Sequence, residues 1–266
     1  MAVRSDKVAR VEVDGVTLVE GRTPDVRFAF TERTGGVSEA PYASLNLGIH
    51  VGDDPFAVHE NRRRVLEALG AADCEHNLLV PNQVHGDTIV TVTKNGADYL
   101  ESVREKIAEG CDAIVCCAPE VPVMLCFADC VPVVLTCPGG FAIAHSGWKG
   151  TFAHIAGKTA QVMCQATGCD PTQVSAYIGP HILGDEYEVS FELIDKFDAE
   201  FDDVHPRGPR LLDLSRAIMQ SLEESGVPSR QIIDLELSTM RLNDRFFSYR
   251  HEGGVCGRHA AVGVLC

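Results

Sequence analysis

The chain has 266 residues, 45% apolar and 23% charged, which supports one full hydrophobic core and excludes wholesale disorder. Its net charge of −15 comes from 38 acidic against 23 basic residues, so phosphate backbones and anionic membranes repel it and nucleic acid is not an expected partner. No apolar run approaches the ~20 residues of a membrane-crossing helix, and the charged opening segment, Met1 to Gly15, carries no signal-type apolar stretch, so a cytoplasmic setting is expected.

Valine alternates with polar residues over 8–30, the period of β-strands. A helix is predicted over 55–69, capped by Asp53 or Asp54, begun by Pro55 and stopped at Gly70. The cluster Arg62, Arg63 and Arg64 is then one helical turn with its arginines pointing different ways. Residues 78–93 read as a strand pair around Gly86-Asp87. Short apolar strands follow at 112–117 and 121–128, then a hairpin, 130–136 and 141–145, around Cys137-Pro138-Gly139-Gly140. A helix from about Thr151 to Ala166 ends at Gly168, with Thr151 as its expected N-cap. The remainder reads as strand 174–178, helices 191–201 and 211–225, and strands 231–237, 245–249 and 259–265. No repeat or linker interrupts the pattern. The expectation is one mixed α/β (α+β) domain over residues 1–266, with mixed β-sheets flanked by helices.

Eleven cysteines are an odd count without a CxxC pair, which argues against a disulfide framework or a zinc ribbon. Most lie in apolar runs and read as small buried hydrophobes. Three segments place soft or imidazole groups at strand ends: Gln83-Val84-His85-Gly86, Ala128-Asp129-Cys130 and Ala144-His145-Ser146-Gly147-Trp148. Cys130 opens one strand of the predicted hairpin and His145 closes the other. A register offset of two residues keeps both side chains on one face, whereas an offset of one separates them.

With His85 as a third corner, two His and one Cys make a zinc-ligand set whose fourth position stays open to water or substrate. Cys130 and His145 alone make a nucleophile and its base, with Asp129 or Asp112 as orienter. A structural metal site is a third reading. Lys149 and Gly150 precede a helix start, where an anion is favoured. Arg33 and Arg250 sit in Gly-rich loops, where a guanidinium can clamp an oxyanion; surface ion pairing is the commoner use of such residues.

Taken together, several segments resemble the YfiH-type family, long called laccase-domain or polyphenol oxidase proteins. They are Thr31-Glu32-Arg33-Thr34-Gly35-Gly36, Ser44-Leu45-Asn46-Leu47-Gly48, Asn61-Arg62-Arg63, Gln83-Val84-His85-Gly86, Ala128-Asp129-Cys130, His145-Ser146-Gly147-Trp148 and Phe246-Phe247-Ser248-Tyr249-Arg250. The resemblance implies a single mixed α/β domain and a zinc ion held by His85, Cys130 and His145. It also implies phosphorolysis of adenosine, inosine, guanosine and S-methyl-5′-thioadenosine, with adenosine deamination as a side activity. Some bacterial members are linked to peptidoglycan editing, so an amide hydrolase using Cys130 and His145 without a metal is the competing expectation.

Within the phosphorylase reading, Arg33, Arg62, Lys149 and Arg250 are candidate phosphate partners. Asn46 is a candidate ribose or phosphate contact, and Asp129 a proton shuttle. Lys149 stands where the family often has Arg, and Glu186 and Ser238 stand where it often has cysteine. Laccase chemistry is not expected: the chain contains no His-x-His pair for a copper cluster, and copper at such an N/S site would be adventitious.

Overall fold

The alternating valines near the start of the chain form three antiparallel strands, β1 (Val8–Val13), β2 (Val16–Arg22) and β3 (Val26–Thr31). Asp14 and Gly15, both at positive φ, make the two-residue turn between β1 and β2. The computed structural model describes residues 8–266; the opening seven, part of the segment read above for export signals, lie outside the described residues.

Helix α1 (Pro55–Leu69) starts where predicted, with Asp54 accepting from the Phe56 amide and Gly70 in the left-handed conformation at its end. Next come β4 (Ile89–Val92), α2 (Ala97–Ala108), β5 (Ala113–Cys116), β6 (Val123–Phe127), β7 (Val131–Cys137) and β8 (Gly140–Ser146). The chain continues with α3 (Trp148–Phe152), α4 (Ile155–Thr167), β9 (Ser175–Ile178), α5 (Phe191–Asp198), α6 (Leu214–Glu224), β10 (Ile232–Asp234) and β11 (His259–Leu265).

Several expectations need correction. The strand pair over 78–93 is a single strand, β4, preceded by irregular chain that makes one isolated β-bridge to a sheet, Leu79–Val123. There the Gln83 amide group bonds both backbone polar groups of Cys126, taking the place of a ladder. Helix α2 was not anticipated, although Leu100, Val103 and Ile107 recur at helical spacing and are buried. Residues 245–249 form turns, not a strand: Phe246 and Phe247 are buried as anchors and the Ser248 amide bonds the Glu252 carboxylate. The helix expected from Thr151 begins earlier, at Trp148, and breaks at His154, which sits at φ 58°. Thr151 is not its N-cap; its hydroxyl pairs with that of Ser146 at 2.8 Å.

Two sheets result. One runs β1-β2-β3-β11-β6, antiparallel throughout; the other runs β10-β9-β7-β8-β5-β4, with parallel pairs at its two edges. Period-two alternation assigns their faces. Val134, Phe141, Ile143 and Tyr177 of the second sheet meet Phe28, Phe30, Leu125 and Phe127 of the first. Val133, Leu135, Ala142 and Ala144 point the other way, under α4, α5 and α6. The outer face of the first sheet, with Leu18, Ala29 and Val262, is covered by Leu66 and Leu69 of α1. The order of layers is therefore helix, sheet, sheet, helices. Among the described residues no helix is long and apolar enough to cross a membrane.

Candidate active site

The β7–β8 register pairs Pro132 with His145 around a turn at Pro138-Gly139. Cys130 lies two residues before Pro132, so it shares a face with His145, the offset that keeps both side chains together. His145 has the parity of Ile143 and points between the sheets, where its ring lies 5.4 Å from that of Phe127. His85 arrives from the irregular segment after Pro81 and adopts φ 59°. Its ring meets that of His145 edge-on at 4.8 Å. One ligand atom from each of His85, Cys130 and His145 lies within 4.8 Å of the others. Gly147 makes room for them: a Cβ there would lie 3.0 Å from Cys130 Sγ and 3.2 Å from His85 Cδ2.

One buried carboxylate positions two members of the trio. Asp112 Oδ1 lies 2.8 Å from His145 Nδ1, which leaves Nε2 for the cluster. The same carboxylate accepts the amides of Val84, His85 and Gly86 at 3.2, 3.0 and 2.7 Å. Burial raises the Asp112 pKa, but His145 and these amides outweigh it and hold the group ionised below its ordinary value. Burial likewise pushes the Cys130 thiol up, yet the His145 charge and hydrogen bonds from both histidines bring it down to about 6. Burial lowers His145, and the Cys130 thiolate with Asp112 raises it to about 9. Each partner thus favours the charged form of the other, thiolate beside imidazolium, and a metal entering the trio would compete with the imidazolium proton. A thiolate with two imidazoles is a soft, borderline donor set that suits a late first-row divalent ion.

The trio opens into a cavity of about 510 Å³, a size typical of small-molecule sites. Phe127, Trp148, Ile182 and Leu214 supply apolar wall; Tyr187, Tyr249 and Arg250 also line it. Of the sequence-selected residues, His85, Asp129, Cys130, His145 and Arg250 line this cavity, whereas Arg33, Asn46, Arg62 and Lys149 do not. Arg33 is spent on the Ala43 and Asn243 carbonyls and the Glu252 carboxylate. Asn46 is fully buried among backbone groups and Asp53. Arg62 forks onto the Leu47 carbonyl. Lys149 is exposed, its ammonium 5.6 Å from the Trp148 ring centre.

Asp129 lines the cavity, but one oxygen accepts from Thr239 Oγ1 and the other from the Arg250 amide, each at 2.6 Å. It clasps the Arg250 loop. Glu186 and Ser238, the two departures from the resembled cysteines, face each other, the hydroxyl lying 2.8 and 2.7 Å from the two carboxylate oxygens. Sequence reasoning missed His50, Gln83, Tyr187 and Arg258, all of which line the cavity. None lies in a periodic apolar pattern that would have drawn attention to it.

With this geometry in view, the comparisons with known proteins are specific. The model of the family described as multi-copper polyphenol oxidoreductase laccase matches residues 27–266, and the chain belongs to this YfiH-type family. A purine nucleoside phosphorylase of Deinococcus radiodurans is 37% identical over 255 residues, covering 93% of this chain and 92% of its own. Purine nucleoside phosphorylase YlmD of Geobacillus stearothermophilus is 36% identical over 245 residues, 87% of each chain. The crystal structure of the Bacillus licheniformis protein YfiH superposes with a TM-score of 0.86 at 30% identity, covering 98% of this chain and all of that one. The mixed α/β architecture expected from the sequence is the architecture of that structure. Among the described residues, the His85–Cys130–His145 trio is the one His/Cys/Asp/Glu cluster that brings three such ligand atoms together.

Proposed function

We propose that the chain is a zinc-dependent purine nucleoside phosphorylase. The observation that carries this reading is the His85–Cys130–His145 trio at the wall of a cavity of nucleoside size. The names of the Deinococcus and Geobacillus relatives support it. The proposed substrates are adenosine, inosine, guanosine and S-methyl-5′-thioadenosine with inorganic phosphate. Deamination of adenosine, in which water replaces the purine amino group and ammonia leaves, is proposed as a side activity.

In phosphorolysis a phosphate oxygen bonds to C1′ as the C1′–N9 bond breaks. The purine leaves with the bonding electrons and is protonated. His85, Cys130 and His145 would hold the zinc, which supplies Lewis acidity toward a substrate oxygen. Asp112 keeps the His145 ring in one tautomer and the His85 turn in one place. Phe127, Ile182 and Leu214 receive an apolar, planar base and exclude water from it. Tyr187 and Arg250, stacked with the guanidinium carbon 5.4 Å from the ring centre, border the same space. Asp129 fixes the loop that carries Arg250.

Metal analysis beside an adenosine-plus-phosphate assay tests this reading. About one zinc per chain is expected. Adenine and ribose 1-phosphate should form only with phosphate present, with activity lost to a chelator and restored by zinc. Purine release that ignores phosphate, or none from zinc-loaded protein, overturns it.

One observation favours a second reading. Cys130, His145 and Asp112 have the nucleophile, base and orienter arrangement of cysteine hydrolases. This would serve a metal-free amide hydrolase acting on a cell-wall peptide. It gives His85 no task, whereas the metal reading uses it. Chelator-resistant amide cleavage by metal-free protein would establish the hydrolase.

A further inference from the structure

Among the described residues the Arg258 guanidinium has no carboxylate partner. Its Nη1 donates to the carbonyls of Cys256 and Gly257, both at 2.9 Å, while among the described residues Nε and Nη2 have no hydrogen-bond acceptor. Arg10, Arg33, Arg63, Arg216, Arg241 and Arg245 all hold Asp or Glu. In a chain with 38 acidic and 23 basic residues, the cavity is lined by two arginines that hold no carboxylate among the described residues, Arg258 and Arg250, the latter donating to the Glu188 carbonyl and lying over the Tyr187 ring. His50 lines the same cavity. Burial lowers its pKa, and so do the positive charges of Arg258 and Arg62 and the two trio histidines.

The surrounding chain is built to hold Arg258 there. Asn46 Oδ1 accepts the Arg258 amide at 2.8 Å and the Gly48 amide at 3.1 Å. The Leu47 amide donates to the Arg258 carbonyl at 2.9 Å, and Arg62 grips the Leu47 carbonyl with two nitrogens at 3.0 and 2.8 Å. Gly48 completes the frame. A Cβ there would lie 2.7 Å from Arg258 Cγ and 3.4 Å from His50 Cε1. Only a glycine lets the Arg258 stem cross the backbone at this point and lie alongside His50. Asn46 and Arg62, chosen from the sequence as direct substrate contacts, thus act one step back from the cavity.

We propose that Arg258 and His50 form the subsite for inorganic phosphate, with Asn46, Gly48 and Arg62 as its positioning residues. The proposal rests on the phosphorylase reading and assigns the nucleophile's place within it. The free Nε and Nη2 edge of Arg258 presents two parallel donors to two phosphate oxygens. His50 adds a neutral N–H donor. The attacking oxygen then starts beside the trio, and the apolar wall is left for the purine.

Arg258→Gln is the test, because glutamine keeps part of the stem over Gly48 and removes the charge. The zinc-loaded variant should show a phosphate KM raised about 10-fold or more, an adenosine KM within about 2-fold and an unchanged zinc content. Arg258→Lys should fall between, keeping the charge without the fork. Titration calorimetry with inorganic phosphate alone should detect binding to the wild type and its loss in Arg258→Gln. An unchanged phosphate KM, or an equal rise in both KM values, overturns the subsite. If Arg258→Gln does not fold, Arg258→Lys and His50→Gln carry the same KM comparison. Phosphate binding that depends on Arg258 in a protein releasing no purine would sink the phosphorylase reading and leave the anion site standing.

Discussion

The two sides of the cavity are built differently. The trio side rests on sheet structure: Cys130 and His145 flank one hairpin, and Asp112, next to β5, ties His145 to the His85 turn. The other side is made of two long loops, residues 32–54 and 248–258, joined by hydrogen bonds such as that from the Arg258 amide to Asn46 Oδ1. A ladder fixes position through many repeated backbone bonds. A loop pair depends on a few polar side chains, each of which matters individually. The trio should therefore fail by losing its ligand atoms, and the loop side by losing its frame.

The sharpest way to break the first side is to remove a ligand. Cys130→Ala and His145→Ala are each expected to lower phosphorolysis about 1,000-fold or more and to abolish zinc retention through dialysis. Full phosphorolysis by either variant would end the metal-centred mechanism. Asp112→Asn comes next. An amide in place of this carboxylate sets an NH₂ against donors that now point at oxygen, disturbing the His145 tautomer and the His85 turn together. Zinc affinity should fall about 10- to 100-fold in competition with a chromogenic chelator. An unchanged affinity would show that the hairpin alone positions the ligands.

The contrast also explains what the sequence revealed. Cys130 and His145 are close in sequence, and period-two alternation narrows their relation to a choice of register, which the Pro132–His145 pairing decides. Helix α1 was legible because Asp54, Pro55 and Gly70 mark its ends with local chemistry. Helix α2 carries Leu100, Val103 and Ile107 at helical spacing but lacks such end signals, its N-cap being Gly96 with no side-chain cap bond. Arg258 was invisible for a different reason: its role comes from a bond to Asn46, 212 positions away, and no local pattern encodes that pairing. Arg33 differs from its expected role because a Gly-rich loop can present a guanidinium to an anion or to the protein's own acceptors, and local sequence does not distinguish the two. The loop delivers it instead to Ala43, Asn243 and Glu252, with its guanidinium 4.2 Å above the Phe247 ring. Electrostatic roles were the hardest to read, since a formal charge does not say whether its partner is a ligand or another part of the protein.

Arg33→Ala tests the loop frame without touching the cavity wall. It removes the shared donor that ties the 43–44 segment to the 243–252 turns and leaves the Asn243 carbonyl and Glu252 with fewer partners. The expected cost is about 1–3 kcal/mol of stability, read by urea denaturation. The phosphate KM should change less than in Arg258→Gln. A larger phosphate effect at Arg33 than at Arg258 would reverse the assignment of roles.

The smallest effect is expected at Lys149, where charge and helix position together once suggested an anion contact. The ammonium is exposed and lies against Trp148, and Lys196 approaches the same ring at 5.6 Å. Helix α3 spans only Trp148–Phe152, too short for a strong N-terminal field, and its N-cap is Gly147, which packs on Cys130 and His85. Lys149→Ala removes one solvated charge and leaves that packing intact. Both KM values and kcat should stay within about 2-fold. A phosphate KM rising about 10-fold in Lys149→Ala, with Arg258→Gln unaffected, would move the anion from the loop frame to the start of α3. The two sides of the cavity would then exchange tasks: the hairpin end would hold both metal and phosphate, and the loop end the nucleoside.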